Sequence, residues 1–214
     1  MKHFIFMAVL LGVFLGGLSC HGVFGPRIKG SGKVTDVTRD VGDFSAVELA
    51  GIGHVVVEMA SSPSVQIKAE ENLMEYLVTE VKNGVLVIKV KDKVNLDPTR
   101  EIEYSVSATK LTSVRLSGSG HITAPDVTTP NAPFKLAVTG SGTIRTGDLS
   151  CKSTTIELSG SGDVDVKSAR SDKGRMGVDV EGSGRVTIGK LEAKSVDGVI
   201  SGSGRIRVED GRVG

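Results

Sequence analysis

Aliphatic side chains alternate with polar ones along most of the chain, and glycines interrupt the alternation at regular intervals. Before Gly118, for example, Val114 and Leu116 are separated by Arg115, and the same alternation recurs before later glycines. A period of two is typical of a strand with one buried and one solvated face. The pattern therefore predicts short β-strands that end at glycine turns.

The glycine turns form an internal repeat. Gly-Ser-Gly begins at residues 30, 118, 140, 160, 182 and 202, so the last five triplets are separated by 22, 20, 22 and 20 residues. Each has an aliphatic residue two positions before its first glycine and another four positions after it. Because glycine turns a corner without a Cβ penalty, we predict structural turns at Gly118, Gly120, Gly140, Gly142, Gly160, Gly162, Gly182, Gly184, Gly202 and Gly204.

A repeat of this length indicates the coils of a solenoid. Roughly four buried aliphatic side chains stabilise one coil by about 6–12 kcal/mol, whereas ordering about 20 residues costs on the order of 20–40 kcal/mol. Coils must therefore bond to their neighbours. We predict an all-β fold, a right-handed parallel β-helix-like solenoid of short coils. An antiparallel sandwich is the competing fold, but it would not need the same residues at every turn.

The period breaks between Gly53 and Gly118. Strand-like alternation is present at 55–57, 65–69 and 101–106, and residues 70–77 resemble a helical turn. Asn83-Gly84 lies between aliphatic segments and is the strongest hairpin signal in the chain, since both residues tolerate the positive φ of a type I′ turn. We therefore predict an irregular cap with the first coils over 30–110 and regular coils over 111–214.

Residues 1–19 are typical of a signal peptide. Lys2 and His3 precede an apolar run that is short for a bilayer span. The small residues before Cys20 suit ordinary signal peptidase, while Cys20 itself stands where a lipoprotein signal places its acylated cysteine; Gly17 replaces the expected leucine. We favour lipidation at Cys20, a linker over 20–29, and attachment in the bacterial envelope, in the periplasm or at the outer membrane.

Three features in order carry a family resemblance: GDFSAVELAGIGHVVVEMA, then AEENLMEYLVTEVKNGVLVIKV, then the serial SGSG turns. With them the chain resembles the putative auto-transporter adhesin head GIN domain, a domain of unknown function in bacterial envelope proteins. The resemblance covers most of the chain after the signal peptide, so the domain is expected over 30–214. It implies a β-helix-like fold and a surface or periplasmic setting, and it supplies no catalytic residues.

Charge and cysteine content narrow the function classes. The 26 basic and 25 acidic residues are spread along the chain. Because no stretch of the sequence is strongly basic, nucleic acid is not expected as a partner. Once Cys20 is removed or acylated, Cys151 is the only thiol left, and no intramolecular disulfide is expected. We interpret Cys151 as buried and inert.

The position after each glycine pair predicts an outward column on the solenoid. Its members are Lys33, His54, His121, Thr143, Asp163, Arg185 and Arg205. We interpret this column as a solvated corner, with a binding stripe as the alternative. Two histidines without a third ligand make a poor zinc site, so no metal is predicted.

The alternative function is that of an enzyme, a polysaccharide lyase or hydrolase, which would need clustered carboxylates. The candidates by position are Asp163, Asp165, Asp179 and Glu181. They alternate with core aliphatics, as on an ordinary solvated strand face. We predict no catalytic, cofactor or metal residues. The predicted function is a non-enzymatic, adhesin-like binding or structural module whose partner is an envelope glycan or protein. It would meet the membrane through an N-terminal lipid anchor, and the terminal strands could pair with a second copy.

Overall fold

A computed structural model describes residues 25–214, without the side chains of residues 172 and 173. The predicted signal peptide and Cys20 lie outside the described residues. Within the described range no helix is long and apolar enough to cross a membrane. The elements are β1 (Arg27–Lys29), β2 (Val34–Arg39), β3 (Ala46–Ala50), β4 (His54–Met59), β5 (Ser64–Glu70), a 3₁₀ helix (Glu71–Tyr76), β6 (Leu77–Lys82), β7 (Val85–Val90), β8 (Asn95–Asp97), β9 (Glu103–Ala108), β10 (Ser113–Gly118), β11 (His121–Ala124), β12 (Val127–Gly140), β13 (Thr143–Gly160), β14 (Asp163–Gly182), β15 (Arg185–Gly202) and β16 (Arg205–Val213).

The regular part is a parallel solenoid in which each coil has three faces. Face A precedes the glycine corner, face B follows it, and face C lies between face B and the next face A. On face A the inward residues are aligned Cα partners from coil to coil: Leu116, Val138, Leu158, Val180 and Ile200. This alignment confirms the predicted all-β solenoid and contradicts the antiparallel sandwich.

The alternation between 22 and 20 residues per coil is absorbed at the corner from face C to face A. The register shifts there, and the longer coils have two additional residues at this corner. The glycine corner and the corner between faces B and C keep constant lengths. The corner intervals, in chain order, are 129–133, 151–153, 171–175 and 193–195.

Close stacking of the coils explains the glycine corners. Gly182 has φ +112°, and a Cβ added to it would lie 2.4 Å from the carbonyl oxygen of Gly160 in the coil before. That oxygen accepts hydrogen bonds from the backbone N–H groups of Ser183 (2.9 Å) and Gly184 (3.1 Å). The last glycine of the triplet is equally crowded, because a Cβ on Gly184 would lie 2.3 Å from a side-chain carbon of Leu158.

The first coils do not stack in chain order. β7 and β9 form one rung, and β3 and β4 lie parallel on top of it. β10 and β11 then pair with the opposite edges of β3 and β4. In spatial order, the first rung is therefore β7 with β9, the second is β3 with β4, and the third is β10 with β11. Along the chain, the second rung comes before the first.

Antiparallel strands cap the end beyond β7 and β9. β6 pairs antiparallel with β7 through a two-residue turn in which Asn83 and Gly84 both have positive φ, as predicted. On face B, β5 pairs antiparallel with β9, and β2 with β5. β1 pairs with β8, so paired structure already begins at Arg27, within the expected linker over 20–29.

The first Gly-Ser-Gly triplet has a different structural role from the others. The fully buried carboxylate of Glu70 accepts hydrogen bonds from the N–H of Gly32 (2.6 Å) and from both the N–H (2.8 Å) and hydroxyl (2.6 Å) of Thr99. These hydrogen bonds, above all that from the Thr99 hydroxyl, lower the pKa of Glu70 to about 2. The triplet at Gly30 thus helps to fasten β1 to the cap and is not a solenoid corner.

Candidate functional site

The outer surface of face A carries a shallow groove of about 290 Å³. It crosses five consecutive rungs, from β10 to the second half of β15. The outward side chains along it are Arg115, Ala137, Thr139, Glu157, Ser159, Asp179, Glu181, Val199 and Ser201.

The coil register produces the groove by stacking small residues between longer ones. One outward column consists of Arg115, Ala137, Glu157, Asp179 and Val199 in successive rungs. The neighbouring column consists almost entirely of hydroxyl residues: Ser117, Thr139, Ser159, Glu181 and Ser201. Rungs repeat at about 4.8 Å, so the short side chains leave a continuous depression lined by both hydroxyl groups and apolar atoms.

Charge is distributed unevenly along the groove. Arg115 lies at one end, and Asp179 and Glu181 lie two rungs beyond Ala137. Between them, Glu157 accepts a hydrogen bond from the Lys135 ammonium at 2.6 Å. Within residues 25–214 the side chains of Asp179 and Glu181 have neither a hydrogen bond nor an ion pair. The end near the last coil is therefore a free anionic surface.

Several other outward carboxylates are paired across rungs. Asp165 on face B lies 3.5 Å from Arg145, and Asp148 on face C lies 2.8 Å from Lys167. The Lys167 and Ser168 hydrogen bonds lower the pKa of Asp148. Such exposed ladders contribute about 1 kcal/mol or less per pair. In the described chain, the side chains of Asp179 and Glu181 in the groove have no such cross-rung partner.

The four carboxylates considered for catalysis do not converge. Asp163 and Asp165 project from face B, whereas Asp179 and Glu181 project from face A. The acidic neighbour of Asp179 is instead Glu157, its aligned partner in the preceding rung. Glu157 and Arg115 are the groove residues that the sequence interpretation missed. Their positions 22 residues before Asp179 and Ala137 are the signal that could have revealed them.

The outward column after the glycine corner exists, with one correction. Lys33 is not part of it, because it immediately precedes β2, which runs antiparallel to its neighbour in the cap; Glu103 takes the position beside His54. The ring centroids of His54 and His121 are 6.5 Å apart, and Nε2 of His54 lies 3.0 Å from the Thr123 hydroxyl. In the described part of the chain no group of three His, Cys, Asp or Glu side chains is placed to hold a metal ion.

Cys151 points into the interior and is buried. Burial raises the pKa of its thiol, and the Thr129 hydroxyl lies 3.2 Å from Sγ. Because the thiolate is the reactive form, this environment makes Cys151 a poor nucleophile.

These features define a class: an all-β parallel β-solenoid of about four turns. A family model described as putative auto-transporter adhesin, head GIN domain, matches residues 43–211. The chain belongs to this family. Membership indicates an adhesin-like protein that is extracellular or associated with the cell envelope.

Solved structures share the fold. A crystal structure described as a putative lipid binding protein from Parabacteroides distasonis ATCC 8503 is 19% identical with a TM-score of 0.56, covering 86% of this chain and 99% of that chain. A putative adhesin from Bacteroides fragilis NCTC 9343 is 15% identical with a TM-score of 0.55, covering 85% and 99%. Another putative adhesin from Parabacteroides distasonis ATCC 8503 is 18% identical with a TM-score of 0.53, covering 86% and 100%. No curated protein matches the chain.

Proposed function

We propose that the protein is a non-enzymatic binding module of the bacterial cell envelope, and that its face A groove receives a hydroxyl-rich ligand of the oligosaccharide class. The supporting observation is the row of hydroxyl side chains beside the unpaired Asp179 and Glu181. Carboxylates accept hydrogen bonds from sugar hydroxyls, and serine and threonine both donate and accept.

The backbone favours a glycan over an extended peptide in this groove. The strands that form its floor are bonded to neighbours on both edges from β10 through β14. A peptide therefore cannot add as a further strand there, which is how many extended peptides bind. Contacts must come from side chains alone. With no aromatic side chain in the groove, stacking on a sugar ring is absent and each site should bind weakly.

A polysaccharide-cleaving enzyme has less support. Glycoside hydrolysis needs one carboxylic acid and one carboxylate on either side of the scissile bond. Glu157 is paired with Lys135, and the remaining groove acids lie on an open surface that does not exclude water. Turnover of a polysaccharide by the purified protein would overturn the non-enzymatic assignment.

A lipid anchor would orient this module. The stretch from Cys20 to Arg27 spans at most about 25 Å when fully extended. β1 is bonded to β8 in the cap, so an acyl chain on Cys20 would hold the capped end close to the membrane. The solenoid, with face A along its length, would then extend away from the membrane. Mass spectrometry of the native N-terminus tests this part of the proposal.

A glycan screen followed by calorimetry tests the groove. The double variant Asp179→Ala/Glu181→Ala removes both unpaired carboxylates, and Asp163→Ala/Asp165→Ala removes two outward carboxylates from face B as the matched control. Since hydrogen bonds to charged groups contribute about 1.5–3 kcal/mol each, the groove variant should lose at least about tenfold in affinity. Equal affinities for the two variants, or no glycan binding by the wild type, would contradict the proposal.

A further inference from the structure

The two ends of the solenoid differ. One end is closed by the antiparallel strands β2, β5 and β6. At the other end lies what we call the terminal rung, residues 195–213. It comprises the face A part of β15 and all of β16, and in the described structure it is bonded on one side only.

Apolar side chains of the terminal rung are exposed where their counterparts one rung earlier are buried. The exposed fractions in the terminal rung are 38% for Val196, 46% for Ile200, 39% for Val208 and 62% for Val213. Their aligned partners Met176, Val180, Ile188 and Ala193 are 0%, 1%, 0% and 7% exposed. The solenoid interior is therefore open to solvent at this end.

The terminal rung also lacks several of the devices that protect a strand edge. Natural edges are blunted by charged side chains, especially lysine, and by proline, bulges or inward-pointing charges. Residues 195–213 contain no proline and no lysine, and the inward positions hold aliphatic residues and glycine. Such an edge is a template for another strand.

We propose that the terminal rung is a self-association surface, on which the terminal rung of a second copy docks. The capped end offers no matching partner, because β2, β5 and β6 cover the solenoid interior there and leave no open apolar end among the described residues. A two-fold axis brings identical edges together as antiparallel strands, which closes the assembly at two copies. The range 195–213 approaches the roughly 20–30 residues a side of a specific interface.

The charges of β16 partly complement themselves in this arrangement. An axis near the corner at Glu209 places Arg207 of one copy close to Asp210 of the other, and symmetry repeats the contact. The same alignment brings Arg205 near Arg212. Burial of the apolar end, rather than charge, therefore supplies most of the stabilisation.

The arrangement has a consequence that also rests on the proposed function. Each chain enters its solenoid beside the cap, through β1, so the two N-termini lie at opposite ends of the dimer. Two chains that are tethered at their N-termini to different surfaces would thus hold those surfaces together. This is homophilic adhesion through solenoid ends.

Analytical ultracentrifugation over a concentration series tests the docking. We expect wild-type protein to form dimers, Ile200→Lys to stay monomeric, and the control Val56→Lys to match wild type, because Val56 is 43% exposed on face B away from the end. Circular dichroism checks folding, and Val213→Lys serves as a second variant if Ile200→Lys unfolds. A monomeric wild type, a dimeric Ile200→Lys, or growth beyond dimers would overturn the proposal.

Bead clustering tests the orientation. Beads carrying the protein by its N-terminus should cluster, whereas beads carrying it by its C-terminus, or carrying N-terminally attached Ile200→Lys, should not. Clustering in the C-terminal orientation would refute docking through the terminal rung. Neither experiment depends on a glycan, so a failure of the groove proposal leaves these results unchanged, and the reverse also holds.

Discussion

Replacing Gly182 with alanine tests whether the coils approach each other as closely as the corner geometry implies. Gly182 has a φ of +112°, a backbone conformation that side-chain-bearing residues rarely adopt. The new methyl group would also lie 2.4 Å from the Gly160 carbonyl oxygen. That oxygen is the shared acceptor of the hydrogen bonds from Ser183 and Gly184, so relieving the clash must lengthen or break them.

The expected loss of stability follows from these two effects. A non-glycine residue held in a sparsely populated conformation costs about 1–3 kcal/mol. The two displaced hydrogen bonds contribute about 0.5–1.5 kcal/mol each. Together they predict a decrease of about 2–6 kcal/mol in the free energy of unfolding, which is a large share of the roughly 5–15 kcal/mol of a typical domain.

Urea denaturation followed by far-UV circular dichroism measures the loss, and Gly177→Ala is the matched control. Gly177 lies in the same strand, and a Cβ there would meet nothing within 4 Å. Its replacement should be neutral or stabilise by up to about 1 kcal/mol. With a slope of about 2 kcal/mol/M, Gly182→Ala should lower the midpoint by about 1–3 M. Equal midpoints for the two variants would refute the close-stacking argument.

Two further predictions concern buried groups. Because the pKa of Glu70 is lowered from 4.5 to about 2 in the folded state, its ionisation stabilises the fold above about pH 4.5, and this contribution is lost as the pH falls toward 2. Glu70→Gln should therefore lower the melting temperature at pH 7 and reduce the difference in melting temperature between pH 7 and pH 3; an unchanged difference would contradict the assignment. The thiol of Cys151 is buried with a raised pKa, so it should react with a thiol reagent far more slowly in the native protein than in urea; equal rates would contradict its burial.

The regular coils were predictable because their determinants are local and repeated. Each glycine corner has aliphatic residues at the same distances before and after it, so aligning the corners gives the register of faces A and B directly. The hairpin at Asn83-Gly84 was likewise predictable, since the turn type depends on those two residues. The glycine corners and this hairpin can therefore be predicted from short stretches of sequence, without knowing what the rest of the chain contacts.

The cap was not predictable in the same way. Gly30-Ser31-Gly32 has aliphatic residues at the same flanking positions as the solenoid corners, yet the N–H of Gly32 binds the carboxylate of Glu70, which lies far along the chain. Likewise, no local signal shows that β3 lies between β7 and β10. Both features depend on long-range pairing. The correct role of a repeated motif is then decided by what it contacts and not by its sequence.

The positions of the groove residues were also predictable, because they lie on face A. Glu157 and Asp179 each stand three residues before a glycine triplet, so aligning the triplets at 160 and 182 pairs them, as in the structure. The pairing of the outward charges was not predictable in this way. Glu157 is bound by Lys135 from the preceding rung, whereas in the described chain the Asp179 and Glu181 side chains have no such partner. That difference depends on side-chain geometry and not on the repeat.

The groove and the terminal rung share residues, so the two proposed surfaces should influence each other. Val199 and Ser201 line the groove and also belong to the terminal rung. Docking of a second copy would therefore change the environment at the acidic end of the groove, where a ligand would contact Asp179 and Glu181. If ligand affinity differs between monomer and dimer, thermodynamic linkage requires that the ligand change the dimer affinity by the same factor. A glycan bound in the groove would then strengthen or weaken contact between two surfaces without any change in fold.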